Sequence, residues 1–463
     1  MGIAFGSIST GLPKDIVKQI MAAEKIPLKN MEDRKGKFSD KNKLVSELTQ
    51  LVQSVRGELT KNASARSLRE LKLDFNDQVV GITADKNIAE PANYQFEVVQ
   101  LAQKSSAMSS GFADKDESYI GVGYIQYTLP NGENKEIYVD SDNASLTKVA
   151  KLINKSENSG LRASVINDGS GTDTPWRLIL SLEETGDNNL AEFPYFYFVD
   201  GEDDFYLEFE REAQDAKVKL DGFEIEVPEN KTSDLIPGLT INLKKAKPGE
   251  EFTIKVDEDT QAISGKIQSL VDNINGVLTF IHDQNNMDEN TDSSRTLGGD
   301  IMLQSLEGRL RSSIFESVET KFGMRRIGDV GITFQRDGKL QFDQQKFSAK
   351  LEENFEETTQ ILTGWYKDDG IKTKGFIDNL NGKIGQVLRF PDGLLQSRKR
   401  SLDNNIEQID RRIAQKERML EQKEKNLKDK FARLEGTIAK IKGQGAGIAG
   451  LGAAAPNPVQ QLG

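Results

Sequence analysis

Apolar residues recur every seventh position near the N-terminus, at Met31, Phe38, Val45, Val52 and Leu59. Leu48 and Val55 fill the intermediate position, and Leu44 and Leu51 widen the stripe. That period predicts a long helix whose seam faces another helix. Arg34 and Lys41 take the intermediate positions in its first half, which predicts less burial there and contact with other chains near Met31. Ahead of it, Pro13 and Pro27 bracket a short stretch in which Ile16, Val17, Ile20, Met21 and Ala23 mark one apolar face. Proline suits a helix's first turn and stops one already running. A helix of so few turns cannot hold itself in water, so this face needs a partner surface.

From about Phe75 the period becomes alternating. YQFEVVQLA (94–102), YIQYTL (124–129), EIYVD (136–140), LRASVIND (161–168) and WRLILSL (176–182) read as strands, interrupted by one helix at 145–157 with Ser145 as its cap. DAKVKLDGFEIEV predicts a hairpin at Asp221-Gly222, and LTINLKKA and EFTIKVDED follow around Pro248-Gly249.

Helical spacing returns at residue 260 with Ile263, Ile267, Leu270, Ile274, Val277 and Ile281. Leu303, Leu306, Leu310, Ile314 and Val318 continue the seam in the next helix. A hairpin turns at Asp337-Gly338, and Asp343 caps a helix over DQQKFSAKLEENFEETTQIL. Beyond Pro391-Asp392-Gly393 a final long helix carries Leu402, Ile406, Ile409, Ile413, Leu420, Leu427, Leu434 and Ile441, ending in a tail of flexible composition. Helical ends with unfinished seams around a β-rich insertion predict a multidomain α+β protein. Both chain ends build a coiled-coil leg, and β-rich head domains are nested between them.

Composition narrows the function. A net charge of -12 argues against nucleic acid, and no apolar run approaches the ~20 residues that span a bilayer. The chain has no cysteine and one histidine, His282, which excludes thiolate chemistry and multi-histidine metal sites. His282 reads as a polar helix end. No cofactor and no enzymatic activity are expected. GAGIAG, with Gly445, Gly447 and Gly450, follows a charged helix instead of a strand, so it reads as tail and not as a dinucleotide loop. DENTDSSRTLGG (288–299) places Asp288, Asn290 and Asp292 like a calcium loop, but lacks the glycine and the closing glutamate. The acidic, aromatic stretch from Glu183 to Glu212 reads as an exposed strand pair; two of its carboxylates would suit a glycosidase, a weaker reading. Arg398, Lys399, Arg400, Arg411 and Arg412 give the last helix a basic start, read as a solvated coiled-coil surface.

Four segments carry a family resemblance. ISTGLPKDIVKQIMAAEKIPL, with Ala23, Glu24, Pro27 and Leu28, resembles the opening of the bacterial flagellar filament cap family, hook-associated protein 2. AQDAKVKLDGFEIEVPENKTSDLIPGLTINLKKA (213–246) is similar to the family's D-G hairpin and I-P-G-L-T strand. LGGDIMLQSLEGRLRSSI (297–314) and IGDVGITFQRDGKLQFDQQKFSAKLEENFEETTQILTG (327–364) resemble its G-D-x-x-L helix and its G-I-T, D-G-x-L, D-x-x-K-F block.

The resemblance implies a secreted, extracellular protein at the flagellum tip, exported by the flagellar apparatus through an uncleaved N-terminal signal. It implies a closed ring of about five copies with cyclic packing, which promotes folding and insertion of exported flagellin. Hook–filament junction proteins are further partners, as is a cytoplasmic export chaperone at the C-terminal helix. A host or prey surface is another, which leaves an adhesin working through the head, or another axial protein such as flagellin, as alternatives.

On this reading segments 1–40 and 421–463 are terminal helices, disordered until assembled. Segments 41–75 and 259–420 form the leg, 76–117 and 212–258 a head domain, and 118–211 an outer head domain. Subunit or flagellin docking falls to Ile16, Val17, Ile20, Met21, Leu28, Met31 and Phe38. The seam falls to Val45, Leu48, Val52, Val55, Leu59, Leu402, Ile406, Ile409, Ile413, Leu420 and Leu427.

Overall fold

The computed structural model describes residues 15–156, 159–190, 192–201, 204–286 and 292–452. The chain divides into two compact units, one of Met1–Ala65 with Ser264–Gly463 and one of Arg66–Ile263. The two helical chain ends therefore belong to one unit, as their unfinished seams predict.

Two helices come first among the described residues, α1 (Ile16–Glu24) and α2 (Ile26–Lys61). Pro27 does not stop the helical path. It sits in the first turn of α2, where its missing N–H costs nothing, and Lys25 alone marks the joint. Lys25 N donates to Met21 O and Lys29 N to Lys25 O, both at 3.0 Å, so the joint is hydrogen-bonded on each side. Pro13 lies outside the described residues.

The Arg66–Ile263 unit begins within the first turn of the short helix α3 (Ala65–Leu68). Its strands are β1 (Leu71–Asp74), β2 (Val80–Ala84), β3 (Ala92–Gln100), β4 (Lys104–Ser109), β5 (Val122–Thr128) and β6 (Asn134–Val139). Helix α4 (Leu146–Lys155) follows, then β7 (Leu161–Asn167), β8 (Trp176–Thr185), β9 (Glu192–Val199), β10 (Leu207–Arg211), β11 (Ala216–Leu220) and β12 (Phe223–Val227). The unit closes with β13 (Lys231–Thr232), β14 (Leu239–Leu243) and β15 (Phe252–Glu258).

Two cores form within it. Sheets β1-β15-β3-β11-β12 and β13-β14-β2 enclose Phe96, Val98, Val218, Ile241 and Ile254. Sheets β10-β4-β8-β7 and β6-β5-β9, with α4, enclose Phe112, Ile125, Val149, Ile153 and Leu178. At the β11–β12 turn Asp221 and Gly222 have φ of 49° and 85°, the paired positive values a two-residue hairpin demands.

Two expectations fail here. The acidic aromatic stretch is not a strand pair: β9 joins β5, whereas β10 joins β4 in another sheet. Ser145 precedes α4, but its Oγ accepts no N–H of the first turn and is buried without a partner, and α4 relies on Leu146, Val149 and Ile153 for its anchorage.

The chain then returns to the first unit through α5 (Thr260–Asn285) and α6 (Ile301–Phe315). Two hairpins follow, β16 (Val318–Thr320) with β17 (Gly323–Arg325) and β18 (Ile332–Phe334) with β19 (Leu340–Phe342). Helices α7 (Gln344–Glu353), α8 (Phe355–Thr363), α9 (Phe376–Leu388) and α10 (Leu394–Gly452) complete it.

Val318 therefore lies on a strand, not on the seam of α6; α6 stops at Phe315, and Glu316 is already extended. The helix expected from Asp343 is two. Asp343 Oδ1 accepts from Lys346 N at 3.0 Å, but Asn354 breaks the run and starts α8 by accepting from Glu357 N at 2.9 Å. The tail read as flexible continues α10 as far as Gly452.

Candidate functional site

The site built by the docking and seam residues is the pairing of α1 and α2 with α10. Asn42 Nδ2 donates to Asp403 Oδ1 at 2.6 Å, Lys35 Nζ meets Asp410 Oδ1 at 2.6 Å, and Lys423 Nζ meets Glu24 Oε1 at 2.7 Å. Moving back along α1 and α2 moves forward along α10, so the helices are antiparallel. The first two contacts are one heptad apart on each helix, as a coiled-coil register requires. Lys423 holds the Glu24 carboxyl below its ordinary range through its hydrogen bond and its charge.

Between these polar contacts run the apolar ones. Val45, Leu48 and Val52 are fully buried on α2, and Leu402, Ile409 and Leu420 are buried on α10. Ile406, Ile413 and Leu427 are half-buried. Register places Leu394, where α10 begins, near the level of Leu51. Val55 and Leu59 thus lie beyond the end of α10; α2 also packs on α9, and both residues are fully buried. That part of the predicted seam is bundle core.

Towards the other end the packing thins. Met31 and Phe38 are half-buried, and Arg34 lies over the Phe38 ring, 5.8 Å from its centroid. On α1 Met21 is buried, Ile16, Val17 and Ile20 are half-buried, and Leu28 is half-buried just past the joint. Ile26, Leu434 and Ile441 remain exposed.

Arg295 staples a loop onto α2. Its Nη1 donates to Asp40 Oδ2 and its Nη2 to Asp33 Oδ1, both at 2.6 Å, and its Nε lies 3.3 Å from Asp292. Sequence reasoning passed over Arg295, although Asp33 and Asp40 stand two turns apart on one face. Asp292 is thereby committed to Arg295 and Ser294, and Asp288 and Asn290 lie outside the described residues.

Glu183 and Glu208 of the acidic aromatic stretch are held in ion pairs, with Arg162 and Arg177. Glu208 and Asp168 both bind Arg177, Asp168 at 2.5 Å from Nε. Ser170 and then Arg177 hold the Asp168 carboxyl down to about 2. His282 stands in the last turn of α5, 3.6 Å from Asp283. Among the described residues no group of acidic or histidine side chains could hold a metal, and no helix is long and apolar enough to cross a membrane. In the basic start of α10, Arg398 pairs with Asp300, the cap of α6, at 2.7 Å.

Comparison with known proteins points one way. Residues 10–105 match the family model of the flagellar hook-associated protein 2 N-terminus, and residues 213–443 match that of its C-terminus. The chain is 25% identical to the A-type flagellar hook-associated protein 2 of Pseudomonas aeruginosa, over 86% of this chain and 86% of the relative. It is 23% identical to the flagellar hook-associated protein 2 of Escherichia coli K12, over 79% and 81%. A solved flagellar cap protein of Bdellovibrio bacteriovorus is 45% identical over 39% of this chain and 97% of that one, with a TM-score of 0.36. The D1-D2-D3 domains of the Escherichia coli flagellar cap protein share the fold at a TM-score of 0.58, with 20% identity, over 78% of this chain and 100% of that one. The family models and the relatives favour a flagellar cap over an adhesin or another axial protein.

Proposed function

The chain belongs to the flagellar hook-associated protein 2 family, the flagellar filament cap proteins, and from that membership we propose how it works. Copies close into a ring of about five around a cyclic axis at the distal tip of the filament. Exported flagellin folds and inserts beneath the ring, and the work is done by surfaces, not by a catalytic residue. The family is structural, and its relatives are flagellar proteins.

One observation carries this reading: the helical unit ends in an unfinished apolar seam. Half-buried Ile16, Val17 and Ile20 and exposed Leu434 and Ile441 stand where α1 and α10 run past the bundle core. A nine-residue helix is marginal on its own. Its uncovered face suits neighbouring cap subunits, flagellin or the hook–filament junction proteins. Before export, Leu434 and Ile441 suit a cytoplasmic chaperone.

Electron microscopy of the purified protein tests the ring. Closed rings support it, and fibres or monomers at micromolar concentration would exclude it. Complementation of a cap-deficient strain tests the assembly role, with flagellin shed into the medium as the failure signature.

A further inference from the structure

A row of tyrosines crosses the three-stranded β6-β5-β9 sheet of the Arg66–Ile263 unit, and the cap reading does not use it. Strands β6, β5 and β9 lie side by side, with Tyr138 opposite Tyr124 and Tyr124 opposite Tyr197. Alternation puts these three on one face and sends Ile125, Ile137 and Val139 into the core. Tyr138, Tyr124 and Tyr197 are 52%, 41% and 64% exposed. The Tyr124 and Tyr138 rings are 5.0 Å apart. Strand spacing makes the row ~10 Å long.

The row is held rigidly. A Cβ on Gly123 would lie 1.8 Å from Tyr197 O, so only glycine lets β9 approach β5 this closely. Cross-strand aromatic pairs stabilise a sheet by up to about 1 kcal/mol, which accounts for one pair but not for the charge around all three. Glu136, which accepts from Gln126 at 2.8 Å, is exposed beside the row, and Asp200 follows directly after β9 and hydrogen-bonds Tyr119. Between Ser106 and Arg211 stand 20 acidic and 8 basic residues, an excess equal to the net charge of -12 of the whole chain. The rest of the chain is neutral in sum.

That field decides the ligand class. A tyrosine face accepts an apolar group, a sugar ring or a cation. An anionic ligand is repelled, and a neutral sugar gains nothing from the field. A cation gains from both the π faces and the carboxylates. We propose that the Tyr138–Tyr124–Tyr197 row is a docking surface for an extended, arginine- or lysine-bearing segment of a partner protein. In a polyproline II segment, side chains three residues apart share one face about 9 Å from each other, so cations at that spacing span the row. The inference is independent of ring closure.

The test titrates the full chain with the peptide Gly-Arg-Gly-Gly-Arg-Gly-Gly-Arg-Gly, its Glu-for-Arg counterpart and cellotriose, by calorimetry at low and physiological salt. Binding of the Arg peptide alone is expected, weakening with salt. Tyr124→Ser with Tyr138→Ser and Tyr197→Ser leaves the charge unchanged and should weaken binding about tenfold or more. Should that variant lose its sheet by circular dichroism, Tyr197→Ser alone, at the most exposed position, should weaken binding about threefold. Equal binding by wild type and the tyrosine variants would leave only diffuse attraction and overturn the proposal. So would binding of cellotriose in place of the Arg peptide, or self-association through the row without peptide binding.

Discussion

Lys35 Nζ lies 2.6 Å from Asp410 Oδ1, an ion pair between residues 375 positions apart that sets the register of the chain's two ends. Both side chains are close to half exposed, so the pair contributes little stability, on the order of 0.5 kcal/mol. Its value is selective. A shift of α10 by one turn would lose this contact, the Asn42–Asp403 hydrogen bond and the Lys423–Glu24 pair together. Lys35→Asp should destabilise by about 0.5–1 kcal/mol in urea unfolding, and adding Asp410→Lys should restore most of it. A double variant no better than the single one would show that the pair does not hold register.

Val52 tests the seam itself. It is fully buried on α2, and no cation faces it among the contacts above. Val52→Asp should cost several kcal/mol, because a carboxylate there must either stay charged and unpaired or take up a proton. Val52→Ala, which leaves a cavity without a charge, should cost about 1–3 kcal/mol. An unchanged melting temperature for Val52→Asp would mean the position is open to water in solution.

Arg295 should matter more than any other single ion pair on α2. Its removal leaves Asp33, Asp40 and Asp292 close together without their shared guanidinium, with only Lys37, 3.3 Å from Asp33, and the largely exposed Lys43, 3.8 Å from Asp40, as nearby cations on α2. Arg295→Ala is expected to destabilise by about 1–2 kcal/mol and to raise proteolysis of the 292–299 segment. Salt should recover part of the loss, since what remains is repulsion between exposed carboxylates. A salt-independent loss would point to packing instead.

The sequence made much of this visible, because period and turn chemistry are local. Asp221-Gly222 announces its hairpin since few residue pairs accept two positive φ values. The α2 heptad was legible for the same reason. What escaped depended on competition between local signals. Helix α9 carries Phe376, Ile377, Leu380, Ile384 and Val387 at helical spacing, but Gly382 and Gly385 dilute the pattern. The break at Asn354 was missed although Asn followed by Glu357 is a capping signal; the apolar spacing across it hid the interruption. The antiparallel register was not legible at all. It rests on pairs such as Lys35 with Asp410, between two helices rich in both signs of charge.

Stability should fall at both ends of the pH scale, for opposite reasons. Tyr127 is buried, donates to Ser159 O at 2.7 Å, and burial pushes its phenol up to about 12. A raised acid holds its proton in the folded state, so its contribution is complete below pH ~10 and disappears as pH rises towards 12. The loss should be on the order of 2 kcal/mol, and Tyr127→Phe should remove this alkaline step. Asp168, held down to about 2, works the other way: its contribution is present above pH ~4 and lost as pH falls towards 2. Asp168→Asn should flatten the acid limb of the stability profile followed by circular dichroism.

The last prediction separates docking from folding at the terminal helix. Met21 is 5% exposed, so an aspartate there would detach α1 from its own chain and confuse the two. Ile16 and Ile20, one turn apart on α1, are only half-buried, and Met21 can keep α1 on α10 without them. Ile16→Asp with Ile20→Asp therefore keeps the length, the basic residues and the intramolecular anchor while removing the apolar face. The α1 helix is also hydrogen-bonded to α2 only through the joint at Lys25, so the seam from Phe38 onward should not register the change. The variant should melt within about 1 kcal/mol of wild type and reach the medium. It should not stay at the filament tip, and flagellin should accumulate unpolymerised outside the cell. Filaments of full length and normal swimming in cells carrying only this variant would show that this face does not dock on neighbouring subunits.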